Sequence, residues 1–191
     1  STRFFLSNSF NNLEFYHAKD PRYEQMPDVD SGGDLSAYLT FEAFAQEDVD
    51  AVLFIDSDGL IVRNIDDVFD IGDYSFAASG NAELFNSEGF PSKGRPFNSG
   101  FFLVKSPFLS TSFHDRIINM AIKHKHKYLR DQSVLNGILG NKNIWMYPCG
   151  HNERNWDIMI HLCSHWNNIR FLHFSGYQYR PKPWQLDEKN A

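Results

Sequence analysis

Short apolar runs alternate along this chain with segments whose apolar residues recur at helical spacing. The runs at 52–55 and 101–104 hold four apolar residues in succession and predict strands that are buried on both faces. Shorter runs at 60–62, 74–78 and 169–173 predict further strands. Because predicted strands and helices follow one another along the chain, the pattern predicts an α/β layer architecture.

Three segments carry apolar residues on one predicted helix face. Asp34 is the predicted N-cap of the first, Pro107 the predicted start of the second, and the third spans 131–139. The polar segments 18–33 and 80–95 are predicted loops, the second of them mobile without substrate. No internal repeat or linker interrupts the pattern, so residues 1–191 are predicted to form a single domain.

Composition narrows the class of protein. A hydrophobic fraction of 42% and a charged fraction of 22% are typical of a soluble globular chain. The formal charge of −6 argues against a general nucleic-acid binder, which needs an excess of Lys and Arg. No apolar run approaches the roughly 20 residues needed to span a bilayer. Two cysteines, no signal-peptide pattern and no Asn-x-Ser/Thr sequence favour a cytoplasmic setting.

The candidate chemistry begins where the first long apolar run ends. Asp56 and Asp58 follow it directly, and burial of a carboxylate is costly, so this pair is expected where the strand leaves the core. A bend at Ser57 or Gly59 would turn both carboxylates toward one point. Two hard oxygen ligands there suit Mg²⁺ or Mn²⁺, which could bind a diphosphate. Asp-Ser-Asp-Gly is also ordinary turn composition, so the pair alone leaves both interpretations open.

Three further patterns follow in order along the chain. The four together are Asp56-Ser57-Asp58, Phe97-Asn98-Ser99-Gly100, Asp131-Gln132-Ser133-Val134-Leu135-Asn136, and His173-Phe174-Ser175-Gly176 with Lys182-Pro183-Trp184. In this order and spacing they resemble glycosyltransferase family 8, the retaining nucleotide-sugar transferases that include glycogenin and bacterial lipopolysaccharide galactosyltransferases. The resemblance covers about 36–184. It implies a GT-A-type fold, an α/β domain with a mixed sheet flanked by helices.

The resemblance implies a metal site that holds the donor diphosphate. Asp56 and Asp58 match the family's Asp-x-Asp, which binds Mn²⁺, and His173 matches the third ligand. A nitrogen ligand favours Mn²⁺ over Mg²⁺. Gly176 and Lys182 match groups near the phosphates.

The resemblance also implies a donor-sugar site. Asn98 matches the residue of the Asn-Ala/Ser-Gly motif that faces the sugar, and Gly100 completes that motif. Asp131 and Gln132 match an Asp-Gln pair beside the anomeric carbon. An amide is a poor nucleophile, so Gln132 is interpreted as a stabiliser of the oxocarbenium-like centre.

Three departures from the family pattern matter. Gly176 and Lys182 are separated by five residues instead of two, so Arg180 is an alternative phosphate contact. Thr40 stands where family members often have the Arg of Tyr-x-Arg, which leaves a basic donor contact in doubt. The Asp-x-Asp comes early, so the N-terminal βαβ portion that holds uridine is expected to be absent, which would weaken UDP binding and turnover.

The leading prediction is a retaining, metal-dependent hexosyltransferase that moves a sugar from a UDP-sugar donor to a hydroxyl acceptor. Surface polysaccharide or lipopolysaccharide synthesis is one such setting. The alternative is a catalytically impaired nucleotide-sugar-binding module or an incomplete domain. A metal-dependent hydrolase of the haloacid dehalogenase type is a weaker rival, since its downstream Lys and acidic pair are not clearly placed.

Overall fold

The computed structural model of this protein describes residues 20–26, 35–80, 90–124, 130–148, 150–154 and 168–174. Within these ranges eight strands form two sheets. The larger sheet has the spatial order β1 (Ala51–Ile55), β5 (Phe97–Lys105), β3 (Phe76–Gly80), β6 (Ile144–Tyr147) and β4 (Phe90–Ser92). The smaller sheet has the order β2 (Gly59–Ile61), β8 (Phe171–His173) and β7 (Glu153–Arg154).

Both sheets are mixed. In the larger one β5 pairs antiparallel with β1 and with β3, whereas β3 and β6 run parallel. In the smaller one β8 pairs antiparallel with β2 and parallel with β7. The predicted strands at 52–55, 60–62, 74–78, 101–104 and 169–173 therefore exist, with ends shifted by a few residues.

Two α-helices lie in the described part of the chain, α1 (Thr111–Lys123) and α2 (Asp131–Leu139). The second has the predicted bounds. The first begins four residues after Pro107, the predicted start, because the Ser110 side chain accepts a hydrogen bond from the backbone N–H of Phe113 and so caps the helix.

A 3₁₀-helix at Leu35–Ala45 replaces the expected first α-helix. Its aromatic residues Tyr38, Phe41 and Phe44 are three apart, and all three are fully buried. Residues at this spacing lie above one another in a 3₁₀-helix, which has three residues per turn. Asp34, its predicted N-cap, lies outside the described residues.

The prediction that β1 is buried on both faces holds only in part, since its residues pack alternately against the core on each face of the sheet but are not fully buried. All five of its residues are half-buried, whereas β5 is buried from Phe97 to Val104. The reason is position: β1 is an end strand of the described sheet and pairs with β5, while β5 has a partner on each side. A continuous apolar run indicates a strand but does not distinguish an end strand from a central one.

The core has two parts, on the two faces of the larger sheet. Phe102 and Val104 of β5 pack with the two α-helices and the long 3₁₀-helix, and Phe101 and Leu103 pack on the other face with β8. Helices therefore cover one face and the smaller sheet lies against the other. This is the predicted mixed sheet flanked by helices.

The two predicted loops contain short regular elements. Pro21–Gln25 forms a 3₁₀-helix inside the first, and strand β4 forms inside the second. Positions 81–89 of the second loop lie outside the described residues, so its mobility stays a prediction. No helix in the described ranges is both long enough and apolar enough to cross a membrane.

Candidate functional site

Two carboxylates and an imidazole meet between the two sheets. Asp56 follows β1, Asp58 precedes β2, and His173 ends β8, where it pairs with Gly59. The His173 Nε2 atom lies 2.9 Å from Asp58 Oδ1 and 3.4 Å from Asp56 Oδ2. Ligand atoms of the three residues lie within 4.8 Å of one another, close enough to share one ion.

The three residues differ in exposure, and this sets their charge. The His173 side chain is 2% exposed, against 38% for Asp56 and 28% for Asp58. Burial lowers the pKa of His173, but the hydrogen bonds and negative charges of the two aspartates outweigh burial and raise that pKa above its ordinary value. The two carboxylates therefore favour a positive charge at the centre of the cluster, such as a proton on the imidazole.

The chemistry of these donors fits Mn²⁺. Carboxylate oxygens with one imidazole nitrogen are ligands that Mn²⁺ accepts, whereas Mg²⁺ prefers oxygen alone. The solvent-exposed parts of Asp56 and Asp58 leave room for a phosphate oxygen or water to complete the coordination.

Gly100 of β5 forms the wall of this cluster. A Cβ at this position would lie 2.3 Å from His173 Cε1 and 2.6 Å from Asp56 Oδ2. The Gly100 carbonyl also accepts a hydrogen bond from the Asp56 N–H at 2.9 Å. Only a residue without a side chain allows β5 to approach the ligands this closely. The structure thus places the last residue of the Asn-Ser-Gly pattern against the candidate metal ligands.

Side-chain amides form the second part of the site, where β5 meets the start of α2. Asn98 Nδ2 donates a hydrogen bond to Gln132 Oε1 at 3.0 Å, and the backbone N–H of Ser99 donates to the same oxygen at 3.3 Å. Asn136, one turn further along α2, bonds both the N–H and the carbonyl of Phe97. These contacts fix Asn98 and Gln132 side by side.

Asp131, the first residue of α2, lies next to this amide pair. Burial raises its pKa, and the negative charge of Asp56 adds to that effect, while hydrogen bonds from the Ser99 hydroxyl, the Gln132 backbone and Thr40 lower it in part. The Thr40 hydroxyl lies 3.3 Å from Asp131 Oδ2. The Ala37 carbonyl, at 2.7 Å, is the closer acceptor for its single hydrogen. Where the family pattern would supply an Arg, this chain therefore places a neutral hydroxyl beside the Asp of its Asp-Gln pair.

Asn152 joins the two parts of the site and was not singled out in the sequence. Its Nδ2 donates to Asn98 Oδ1 at 2.7 Å, and its Oδ1 lies 2.9 Å from His173 Nδ1. The contacts join residues 54 and 21 positions apart in the sequence. Contacts over such separations leave no pattern in the sequence. The motifs therefore identify Asn98 and His173 but not Asn152, which connects them.

The candidate residues thus fall into two groups. The structure brings together Asp56, Asp58, His173, Asn98, Gly100, Asp131 and Gln132. Gly176, Lys182 and the alternative phosphate contact Arg180 lie outside the described residues.

Two other ionisable clusters are structural. Asp20, His114 and Asp115 could also surround a cation, but the Arg22 guanidinium already bonds both aspartates. His151 stacks on Tyr147 with the rings 5.2 Å apart, beside Asp67. Burial lowers the pKa of His151, so the neutral imidazole is favoured there.

Several solved structures share this fold. The galactosyltransferase LgtC, in complex with donor and acceptor sugar analogues, matches with a TM-score of 0.65 and 18% identity over 94% of this chain and 71% of that chain. An active-site mutant of LgtC gives 0.65 and 16% over 92% and 70%. The glycosyltransferase GlyE in Streptococcus pneumoniae TIGR4 gives 0.54 and 21% over 76% and 38%.

At these identities the similarity shows the fold, which is the GT-A-type α/β fold of glycosyltransferases. No protein-family model matches the sequence, and no curated protein does either. The assignment to glycosyltransferase family 8 therefore remains a resemblance carried by the four motifs.

Proposed function

We propose that this protein is a metal-dependent, retaining glycosyltransferase that transfers a hexose from a UDP-sugar to a hydroxyl acceptor. The observation that carries the proposal is the convergence of Asp56, Asp58 and His173 beside the Asn98–Gln132 amide pair. A fold shared with glycosyltransferases supports the proposal but does not establish it, because one fold hosts many functions.

In this proposal Asp56, Asp58 and His173 hold Mn²⁺. When bound, the ion would act as a Lewis acid toward the diphosphate leaving group. The two partly exposed carboxylates are accessible to a diphosphate from the solvent, while the buried imidazole lies on the inner side. Lys182 and Gly176 stay candidates for further phosphate contacts, with Arg180 as the alternative.

The amide pair would hold the sugar. The Gln132 oxygen already accepts two hydrogen bonds, from Asn98 and from the Ser99 backbone, so its NH₂ group is the part left to contact a donor hydroxyl. Asp131 precedes Gln132 on α2, and its carboxylate, when ionised, would stabilise an oxocarbenium-like centre. A rigid amide pair of this kind positions the anomeric carbon without supplying a strong nucleophile.

Retention of configuration at the anomeric carbon would follow if the acceptor hydroxyl attacks from the same face that the diphosphate leaves. The acceptor oxygen forms a bond to the anomeric carbon as the carbon–oxygen bond to the diphosphate breaks, and the departing phosphate oxygen takes the hydroxyl proton. Neither amide of the pair, Gln132 or Asn98, is a strong nucleophile for a covalent intermediate, and the half-buried Asp131 carboxylate is held by hydrogen bonds from Thr40 and Ser99.

The test is UDP release from a panel of UDP-hexoses with MnCl₂ and with chelator. We expect Mn²⁺-dependent release, an α-configured product from an α-configured donor by NMR, and a loss of about 100-fold or more in Asp58→Asn, equivalent to about 2.7 kcal/mol. Asp48→Asn, an exposed carboxylate on a loop, is the matched control.

The outcomes separate the candidate functions. Calorimetric binding of Mn²⁺ and a UDP-sugar without turnover would favour the nucleotide-sugar-binding module over the enzyme. An inverted product would contradict the same-face mechanism alone. Failure to bind any UDP-sugar in the presence of Mn²⁺ would overturn the proposed function.

A further inference from the structure

One backbone group, the N–H of Gly100, determines the orientation of the Asn98 and Asn152 amides. The Gly100 N–H can only donate, and it lies 2.9 Å from Asn98 Oδ1, so that atom is an acceptor. The Asn152 atom that faces it at 2.7 Å must therefore be the donor Nδ2. Asn152 then turns its oxygen to His173, and the Nδ1 atom of that ring, 2.9 Å away, must donate.

This orientation decides which His173 nitrogen can bind a metal. With the proton held on Nδ1 by the Asn152 oxygen, the neutral ring has its lone pair on Nε2. Nε2 is the atom that faces Asp56 and Asp58. A hydrogen bond to the far nitrogen is the usual means by which a protein orients a metal-binding imidazole.

The backbone around Asn152 is held firmly to the strand that carries His173. The Gly150 carbonyl accepts hydrogen bonds from the N–H groups of Arg170 and Phe171, at 2.8 and 3.2 Å. On the other side of Asn152, β7 pairs with β8 and sets Arg154 opposite His173. Gly150 has a φ of 97° and approaches the chain so closely that a Cβ would lie 2.2 Å from the Asn168 carbonyl oxygen.

We propose that Asn152 is a positioning residue that couples the metal site to the donor-sugar site. Its oxygen sets the Nδ1-protonated tautomer of His173, and its NH₂ group sets Asn98, which in turn orients Gln132. The inference rests on the proposed function for its catalytic consequence. The orientation of His173 itself does not depend on any transferase activity.

Two substitutions separate the two halves of the coupling. Asn152→Asp keeps an oxygen that accepts from His173 but loses the donor to Asn98 and sets two acceptor oxygens against each other. Asn152→Ala removes both contacts. Asn119→Ala, an exposed asparagine on α1, is the matched control.

The first measurement is Mn²⁺ affinity, from the EPR signal of the free ion. We expect Asn152→Ala to raise the Mn²⁺ dissociation constant about 10- to 100-fold, as for other groups that orient metal ligands. Asn152→Asp should stay within about threefold of wild type, because its oxygen still accepts from His173. If Asn152 only stabilised the fold, both variants would show a lower Mn²⁺ affinity together with a lower unfolding temperature. Unchanged Mn²⁺ affinity in Asn152→Ala would overturn the inference.

The second measurement needs no metal and no substrate. In the ¹⁵N-labelled metal-free protein we expect a resonance for the His173 Nδ1 proton that exchanges slowly with water. That resonance should persist in Asn152→Asp and Asn119→Ala and vanish in Asn152→Ala. If it persists in Asn152→Ala, the assigned hydrogen bond is wrong and the inference falls, whether or not the protein binds Mn²⁺.

The third measurement, turnover, tests the coupling to the sugar site. Asn152→Asp should lose about 10- to 100-fold in kcat while its Mn²⁺ affinity is retained. Wild-type kcat in that variant would overturn the coupling. If the wild type transfers no sugar, the proposed function fails, and the affinity and NMR measurements still decide how His173 is oriented.

Discussion

Gly100→Ala tests the close approach of β5 to the candidate metal ligands. The added methyl carbon would lie 2.3 Å from His173 Cε1, and ordinary contact begins at 3.4 Å, so about 1.1 Å of overlap must be relieved. The overlap with Asp56 Oδ2, at 2.6 Å, is about 0.8 Å. Asp56 is partly exposed and can swing outward, but His173 is buried and held by Asn152, so the ring or its strand must shift.

This shift should change both the free energy of unfolding and the free energy of Mn²⁺ binding. Overpacking a core typically costs about 1–3 kcal/mol, and replacing a strand glycine with alanine returns about 0.5–1 kcal/mol of backbone entropy. We therefore expect the free energy of unfolding of the metal-free protein to fall by about 1–2 kcal/mol. Metal sites tolerate about 0.2 Å of ligand displacement, so a shift near 1 Å should weaken Mn²⁺ binding at least about tenfold, or about 1.4 kcal/mol.

The assays are urea unfolding with chelator present and Mn²⁺ titration by EPR. Ala78→Val is the control, because Ala78 is fully buried on the neighbouring strand β3 and packs in the helix-side core, away from the ligands. It should destabilise the protein by a similar amount and leave Mn²⁺ affinity unchanged. Wild-type Mn²⁺ affinity in Gly100→Ala would refute the assignment of Gly100 as the wall of the metal site.

Three further substitutions probe the elements that support the site. Asn136→Ala should lower the free energy of unfolding by about 2–4 kcal/mol, because the buried N–H and carbonyl of Phe97 lose their partner; urea unfolding measures it. Asp131→Asn should stabilise the protein more at pH 7 than near pH 4. Burial raises the pKa of this carboxyl, so the free-energy cost of its charge disappears as the pH falls through that raised pKa. Equal changes in the free energy of unfolding at both pH values would contradict this. Tyr147→Phe should cost about 0.5–1.5 kcal/mol, since its buried hydroxyl donates to the Val68 carbonyl at 2.7 Å; an unchanged unfolding midpoint would exclude that bond.

The sequence predicts where the strands lie better than it predicts how many neighbouring strands each of them has. The apolar runs that became β1 and β5 have similar composition, yet β5 is central and β1 lies at an end of the described sheet. Strand β6 was not predicted, because Ile144–Tyr147 is short and follows directly on the turn after α2. Whether a run has a neighbour on each side depends on topology, which local hydrophobicity does not encode.

The candidate site shows the same division between local and long-range information. Asp56 and Asp58 are separated by a single residue, and a strand followed by two carboxylates is visible without a structure. The contact of Thr40 with Asp131 and the position of Asn152 in the site are not visible in this way, since the partners lie 91 and at least 21 positions away. Motifs thus indicate which groups perform chemistry, and the fold supplies the groups that hold them.

The position of the site between two sheets explains why its supporting residues are small or neutral. His173 comes from the smaller sheet, whereas Asn98 and Gly100 come from the larger one, so the geometry depends on how closely the sheets approach. A glycine permits that approach, and an amide can donate to one sheet while it accepts from the other. A charged residue at position 152 could not do both without leaving one partner unsatisfied, and buried unsatisfied groups cost about 1–3 kcal/mol. Asparagine therefore suits the junction because it is both donor and acceptor and adds no charge beside Asp56 and Asp58.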